Sequence, residues 1–195
     1  NVAKKYREGL FKSSESEQYK AKRAINVLKN VMIKILQQHR DGSIKHSLYE
    51  AEFMNGKDFD AIDLTAGTEH IKIEGKIDRV DFLKSGYHDV IDYKTGKEQF
   101  DADEARAGYR LQLMVYLRAV GSLSESKPAG VFYFNIAEEL EDVTKNKIAV
   151  NIDELSKKVE QTLKLNGIML SDANVVRDIA GELEPGDTSS IVEGI

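Results

Sequence analysis

The sequence predicts a soluble α/β fold: a mixed sheet of four to five strands flanked by helices. Three observations lead there. Apolar residues recur at three-to-four spacing over residues 18–40, and from Ser47 the period changes to two. Two extended runs, 70–81 and 87–94, are joined by the turn composition Lys84-Ser85-Gly86. A second helical stretch, 108–120, precedes the short aromatic and β-branched run Val131-Phe132-Tyr133-Phe134-Asn135-Ile136.

In the first helix, Ala21, Ile25, Leu28, Met32 and Ile35, broadened by Ala24, Val31 and Leu36, form the stripe expected to face a core. The opposite face carries Lys20, Lys22, Arg23, Lys29 and Lys34 and reads as solvated. Residues 47–53 read as a strand followed by the polar loop 55–58. One long strand is expected at 70–81, where Ile71, Ile73, Gly75 and Ile77 alternate with Lys72, Glu74, Lys76 and Asp78. After the hairpin comes an acidic loop at 100–107, then the helix, then the strand introduced by Pro128-Ala129-Gly130. Further helices are expected over 153–165 and 174–180, and a loose tail from Gly181. The chain reads as one domain over 1–195, with 137–195 as a helical C-terminal extension.

Composition narrows the chemistry. The 195 residues carry 28 Lys+Arg and 33 Asp+Glu, a formal charge of −5, so nothing global points to a duplex-binding surface. There is no apolar run of bilayer length and no signal-peptide core, so an intracellular protein without membrane association is expected. Zero cysteines exclude disulfides, thiolate zinc sites, Cys nucleophiles and an iron–sulfur cluster held by these residues.

The hairpin carries the informative residues, Gly75-Lys76-Ile77-Asp78-Arg79-Val80-Asp81 and Ile91-Asp92-Tyr93-Lys94-Thr95-Gly96. With the turn centred on Ser85, Asp78 faces Asp92, and alternation puts Lys94 on the same face as Asp92. Opposed like charges destabilise a sheet, so two carboxylates so placed need a cation. A hard divalent ion suits them, because Mg²⁺ takes one or two carboxylates and leaves its other positions to water and phosphate. Lys94 beside it is suited to orienting or helping to deprotonate a water and to stabilising charge on a phosphate. Arg79 alternates to the other face, where a structural salt bridge is expected. Gln112 and Tyr116, four apart on the second helix, project together while Leu113, Leu117 and Val120 pack inward.

In order and spacing, Gly75-x-x-Asp78-Arg79-x-Asp81, Asp92-Tyr93-Lys94-Thr95-Gly96 and Gln112-x-x-x-Tyr116 resemble the PD-(D/E)xK nucleases of the RecB type. The run 127–134, residues 163–172 and Val175-Val176-Arg177 are similar to the C-terminal nuclease domain of the AddB/RexB component of AddAB/RexAB helicase–nucleases. The resemblance implies a restriction-endonuclease-like core and a metal-dependent DNA exonuclease acting in double-strand-break end processing and recombinational repair. It implies metal ligation by Asp78, Asp92 and the Tyr93 carbonyl, catalysis by Lys94 with Gln112 and Tyr116, and DNA contacts from Gln112, Tyr116 and Thr95. It implies Mg²⁺ or Mn²⁺ as cofactor, with DNA and an AddA/RexA-like helicase partner, in the cytoplasm.

Two departures from the family pattern stand out. No upstream helix supplies the family's metal-binding His, and His39 and His46 are poorly placed for that role. The cysteines with which many AddB-type proteins hold a cluster are missing: either the chain is cut inside those flanks or it belongs to the branch without the cluster, and in both cases the abrupt start and finish favour a fragment of a longer chain. The other readings are a catalytically silent DNA-binding or scaffold domain of a helicase complex, and a Cas4-like exonuclease.

Overall fold

The computed structural model describes residues 14–121, 125–136, 163–184 and 186–194. Helix α1 (Glu15–Asp41) starts at Ser14, whose side chain accepts from the Glu17 N–H, and carries Glu15 and Glu17 in its first turn and His39 and Arg40 in its last, matching the helix dipole. It ends at Gly42. A Cβ there would stand 2.6 Å from the Asp178 carbonyl oxygen, so no larger residue fits between α1 and the segment packed against it.

Strand β1 (Ile44–Phe53) follows, then a small hairpin of β2 (Ile62–Ala66) and β3 (Glu69–Ile73), then β4 (Gly75–Leu83) and β5 (Tyr87–Lys94). A five-residue helix α2 (Ala102–Arg106) occupies the acidic loop, and α3 (Gln112–Gly121) leads to β6 (Lys127–Asn135). Strand β7 (Leu165–Met169) and helix α4 (Ala173–Ala180) complete the described elements. The main sheet has the order β1-β4-β5-β6-β7; β5 and β6 are parallel and the other pairs antiparallel. The β5-to-β6 crossover contains α3, as parallel neighbours require.

Alternation along the central strands divides the core in two. Leu83, Ile91, Phe132, Phe134 and Leu165 pack with Val31 of α1 and with Val175, Ile179 and Ala180 of α4. Val80, Val90, Val131 and Tyr133 pack with Leu113, Ala119 and Val120 of α3. Successive residues such as Val90 and Ile91 thus belong to different cores, the pattern of a sheet covered on both faces.

The structure corrects four expectations. The run 70–81 is split at Glu74: its first part pairs with β2 in a separate two-stranded sheet, and only the second enters the main sheet. Part of the segment expected as a helical extension is strand, because residues 165–169 pair with β6, and Gly167 permits this where a Cβ would collide with the Val131 carbonyl oxygen. The tail folds back, burying Ser189, Ile191 and Val192, with Val192 bridging to Leu165. The helix expected over 153–165 lies almost wholly outside the described residues.

The fourth correction concerns α1. Val31, Lys34 and Gln38 are its buried residues, with Val27 and Ile35 packed against the core. Ile25, Leu28, Met32 and Leu36 are exposed instead. Lys34, read as solvated, is buried and donates to the Ser190 carbonyl at 2.5 Å. The helix therefore carries an apolar arc wider than one face of the sheet can cover.

Candidate active site

The β4–β5 ladder pairs Arg79 with Ile91, Val80 with Val90 and Asp81 with Asp89. One step further, the same register sets Asp78 opposite Asp92. Asp78 is tied to the end of β5 directly: its Oδ2 accepts from the Tyr93 N–H at 2.8 Å. Asp92 is buried beside Tyr133 of β6, its neighbour in the parallel ladder.

Lys94 stands in the same group. Its Nζ is 2.6 Å from Asp92 Oδ2, an ion pair lying off the direction of a hydrogen bond, and it donates to Gln112 Oε1 at 2.9 Å. Gln112 Nε2 in turn donates to the Tyr116 hydroxyl at 2.8 Å. The ammonium also lies 5.4 Å from the centre of the Tyr133 ring. Tyr116 is fixed from behind by an edge contact with Phe53, with ring centres 5.9 Å apart. A continuous chain, Asp92–Lys94–Gln112–Tyr116, thus runs from the sheet to the first turn of α3. Thr95 is exposed just beyond the end of β5.

The electrostatics are those of a site suited to receiving positive charge. Burial raises the pKa of Asp92; Lys94 opposes that rise and the nearby Asp78 adds to it, leaving the pKa above the ordinary carboxylate value. Burial alone would depress the Lys94 pKa, but the close Asp92 carboxylate outweighs it, so the proton is held more firmly than usual. Lys94 thus stands where an ammonium can meet charge developing on a phosphate.

The opposite face holds a second polar group. Arg79 is fully buried and binds Asp81 through Nε at 2.8 Å and Nη2 at 2.6 Å, while its Nη1 donates to Gln38 of α1 at 2.8 Å. Ser47 donates to Asp81 Oδ1 at 2.6 Å. Asp89, opposite Asp81, is buried, and that burial together with the Asp81 charge pushes its pKa well up, which favours the neutral acid. The salt bridge expected of Arg79 is present. Its neighbour Asp89 was not singled out from the sequence, although the criterion of facing carboxylates that picked Asp78 and Asp92 applies equally to Asp81 and Asp89.

Asp78 and Asp92 offer oxygen donors suited to a hard divalent ion, and the charge stored on the buried Asp92 is what such an ion would neutralise. Neither candidate histidine reaches them. His39 is 3.2 Å from the Tyr49 hydroxyl and is influenced by Arg79 and Asp81, while His46 stacks on Phe82 with ring centres 4.5 Å apart. Among the described residues no cluster of three or more His, Cys, Asp or Glu side chains is gathered as for a metal. Two carboxylates would be enough for Mg²⁺, because that ion keeps several waters.

Comparison with known proteins gives the family. A family model described as the PD-(D/E)XK nuclease superfamily matches residues 2–184. The B chain of the ATP-dependent helicase/deoxyribonuclease of Thermoanaerobacter sp. (strain X514) is 31% identical over 188 residues, covering 92% of this chain and 16% of that protein. The proteins of the same name from Alkaliphilus oremlandii (strain OhILAs) and Clostridium perfringens (strain 13 / Type A) are 31% identical over 198 residues and 32% identical over 203. These matches cover 96% and 98% of this chain and 17% of each relative, so the chain spans well under a fifth of the length of these relatives.

Proposed function

Because the chain belongs to the PD-(D/E)XK nuclease superfamily and has a restriction-endonuclease-like α/β core, we propose that it hydrolyses DNA phosphodiester bonds with a divalent ion held by Asp78, Asp92 and the Tyr93 carbonyl. The observation that carries this reading is the linked group Asp92–Lys94–Gln112–Tyr116 beside Asp78. When bound, Mg²⁺ or Mn²⁺ would activate water and stabilise the extra charge on phosphorus.

The chain's own groups do the rest. Asp92 and Asp78 supply negative charge at one point, which Lys94 and the Tyr93 N–H offset only in part. Lys94, held as a cation, orients the attacking water and meets the developing phosphate charge. Gln112 fixes the Lys94 ammonium and Tyr116 fixes Gln112, so the cation is set before substrate arrives. Gln112, Tyr116 and the exposed Thr95 contact the DNA backbone.

The similarity to the helicase/deoxyribonuclease proteins supports a place for this domain in end resection beside a helicase partner, with exonucleolytic action on broken DNA ends. Cleavage of linear DNA by the 195-residue chain, with Mg²⁺ and with EDTA, tests the reading. Cleavage should require the metal and fall about 10²–10³-fold in Lys94→Ala, the cost of removing one preorganised charge-stabilising donor. Metal-independent cleavage, or equal cleavage by Lys94→Ala, would contradict it, and no cleavage at all would leave a scaffold domain.

A further inference from the structure

Strands β1 and β4 change phase at a single rung, the one that holds Asp78. Leu48 and Val80 are paired and lie on the α3 side of the sheet. The next pair, Tyr49 and Arg79, lies on the α1 side, where His39 and Gln38 meet it. Strict alternation would return Ala51 and Ile77 to the α1 side. Both are instead buried with Phe53 in the α3 core, although they remain paired with each other. Each strand therefore steps out of phase once. Glu50 in β1 and Asp78 in β4 occupy that rung, between the pairs Tyr49–Arg79 and Ala51–Ile77.

The backbone of Glu50 takes up the change. Its φ is 53°, in the left-handed region where a residue with a side chain is uncommon and costs energy. Irregularities of this bulge-like kind bend a strand and re-aim its side chains. The Glu50 carboxylate does little to hold the conformation: it is 67% exposed and pairs with Lys76 at 3.3 Å, an interaction worth little in water. The consequence lies on the other edge of β4. Its regular ladder with β5 stops at Arg79–Ile91, and the Tyr93 N–H is taken by the Asp78 carboxylate. Ile77, fully buried, anchors the chain directly beside Asp78, which stays half-buried.

We propose that Glu50 is a positioning residue for Asp78: its left-handed backbone sets the phase change that brings the Asp78 carboxylate to the Tyr93 amide, and so to the place where a divalent ion would sit. This rests on the metal reading above and adds to it a residue that acts through Asp78. The property that matters is the φ that residue 50 accepts, not the Glu side chain. Gly and Asn accept positive φ. A β-branched residue is driven back to extended backbone, which restores the alternation and turns Asp78 away from β5.

The test uses the 195-residue chain with Glu50→Val, Glu50→Asn and Glu50→Gly. Hydrogen exchange of the Tyr93 amide, followed by NMR without metal, reads the position of Asp78; calorimetric titration with Mn²⁺ reads the metal site. In Glu50→Val the Tyr93 amide should exchange about 10- to 150-fold faster, the range for a lost hydrogen bond to a charged acceptor. The Val80 and Val90 amides, inside the ladder, should keep the parent rate. Mn²⁺ affinity should fall about 10- to 100-fold, as when the group that orients a metal ligand is removed. Glu50→Asn and Glu50→Gly should match the parent in both readouts. Unchanged Tyr93 exchange in Glu50→Val, or equal acceleration at Val80 and Val90, overturns the positioning role. Loss of Tyr93 protection in Glu50→Asn and Glu50→Gly overturns it too, since the carboxylate would then be the active part, and this arm holds even where Glu50→Val does not fold. Tyr93 exchange that follows φ as stated, in a parent chain that binds no Mn²⁺, would support the positioning role and refute the metal reading.

Discussion

Asp92→Asn separates the two demands placed on Asp92, folding and metal binding. In the metal-free fold the ionised carboxylate is a burden: burial is the largest influence on it, Asp78 adds repulsion, and Lys94 compensates only in part. An amide of the same shape removes that burden at the cost of the 2.6 Å ion pair with Lys94. The metal-free melting temperature of the variant should therefore equal or exceed that of the parent. Metal reverses the order. At Mg²⁺ ten times its dissociation constant, the parent gains about 1.4 kcal/mol from RT ln(1 + [L]/Kd). For a chain of this size that is a rise of about 3–6 °C. The variant, with one carboxylate left, should gain almost none of it and should lose cleavage with it. Thermal melts of both proteins across a Mg²⁺ titration, with EDTA as baseline, read the effect. A full Mg²⁺-dependent rise in Asp92→Asn, or a metal-free loss of several degrees, would show that Asp92 is a structural ion-pair partner and not a ligand.

Two further outcomes concern the other face of the sheet. Arg79→Met should cost about 3–5 kcal/mol in urea unfolding, because Asp81 stays buried without its bidentate partner; a loss under 1 kcal/mol would mean water enters to replace the guanidinium. Asp89→Asn should stabilise the fold increasingly as pH rises. The folded Asp89 ionises above its ordinary value, so the parent is free of penalty below the unfolded value and loses stability as pH climbs towards the folded one, about 1.4 kcal/mol for each pH unit crossed. Melting curves at pH 4 and pH 8 should show a larger gain for the variant at pH 8, and an equal gain at both would refute the neutral-acid assignment.

The helix, the hairpin and the aromatic strand were legible because each is written in short-range periodicity. So was the core of the site: a turn centred on Ser85 and a period of two put Asp78, Asp92 and Lys94 on one side, and the four-residue spacing of Gln112 and Tyr116 did the same for α3. The β2–β3 hairpin was missed because Ile71 and Ile73 continue the alternation of Ile77, and nothing local marks where a strand leaves one sheet for another. The outward arc of α1 was misassigned for a related reason, since Ile25, Leu28 and Met32 are as apolar as Val31 and Val27.

The order of elements, the hairpin register and the shared face of the site residues follow from the chain's own spacing, since backbone geometry fixes them among near neighbours. Two pairs of facing aspartates satisfy that geometry equally, and the residues alone do not say which is sealed. That was settled by contacts between distant parts of the chain. Gln38 of α1 closes over Arg79 and Asp81, and the returning tail clamps Lys34 of the same helix through Ser190, while on the reverse side α3 brings Gln112 and Tyr116 to the rim around Asp92. Burial belongs to the whole packed structure: it seals both Asp81 and Asp89, whereas of the other pair Asp92 is buried and Asp78 only partly so.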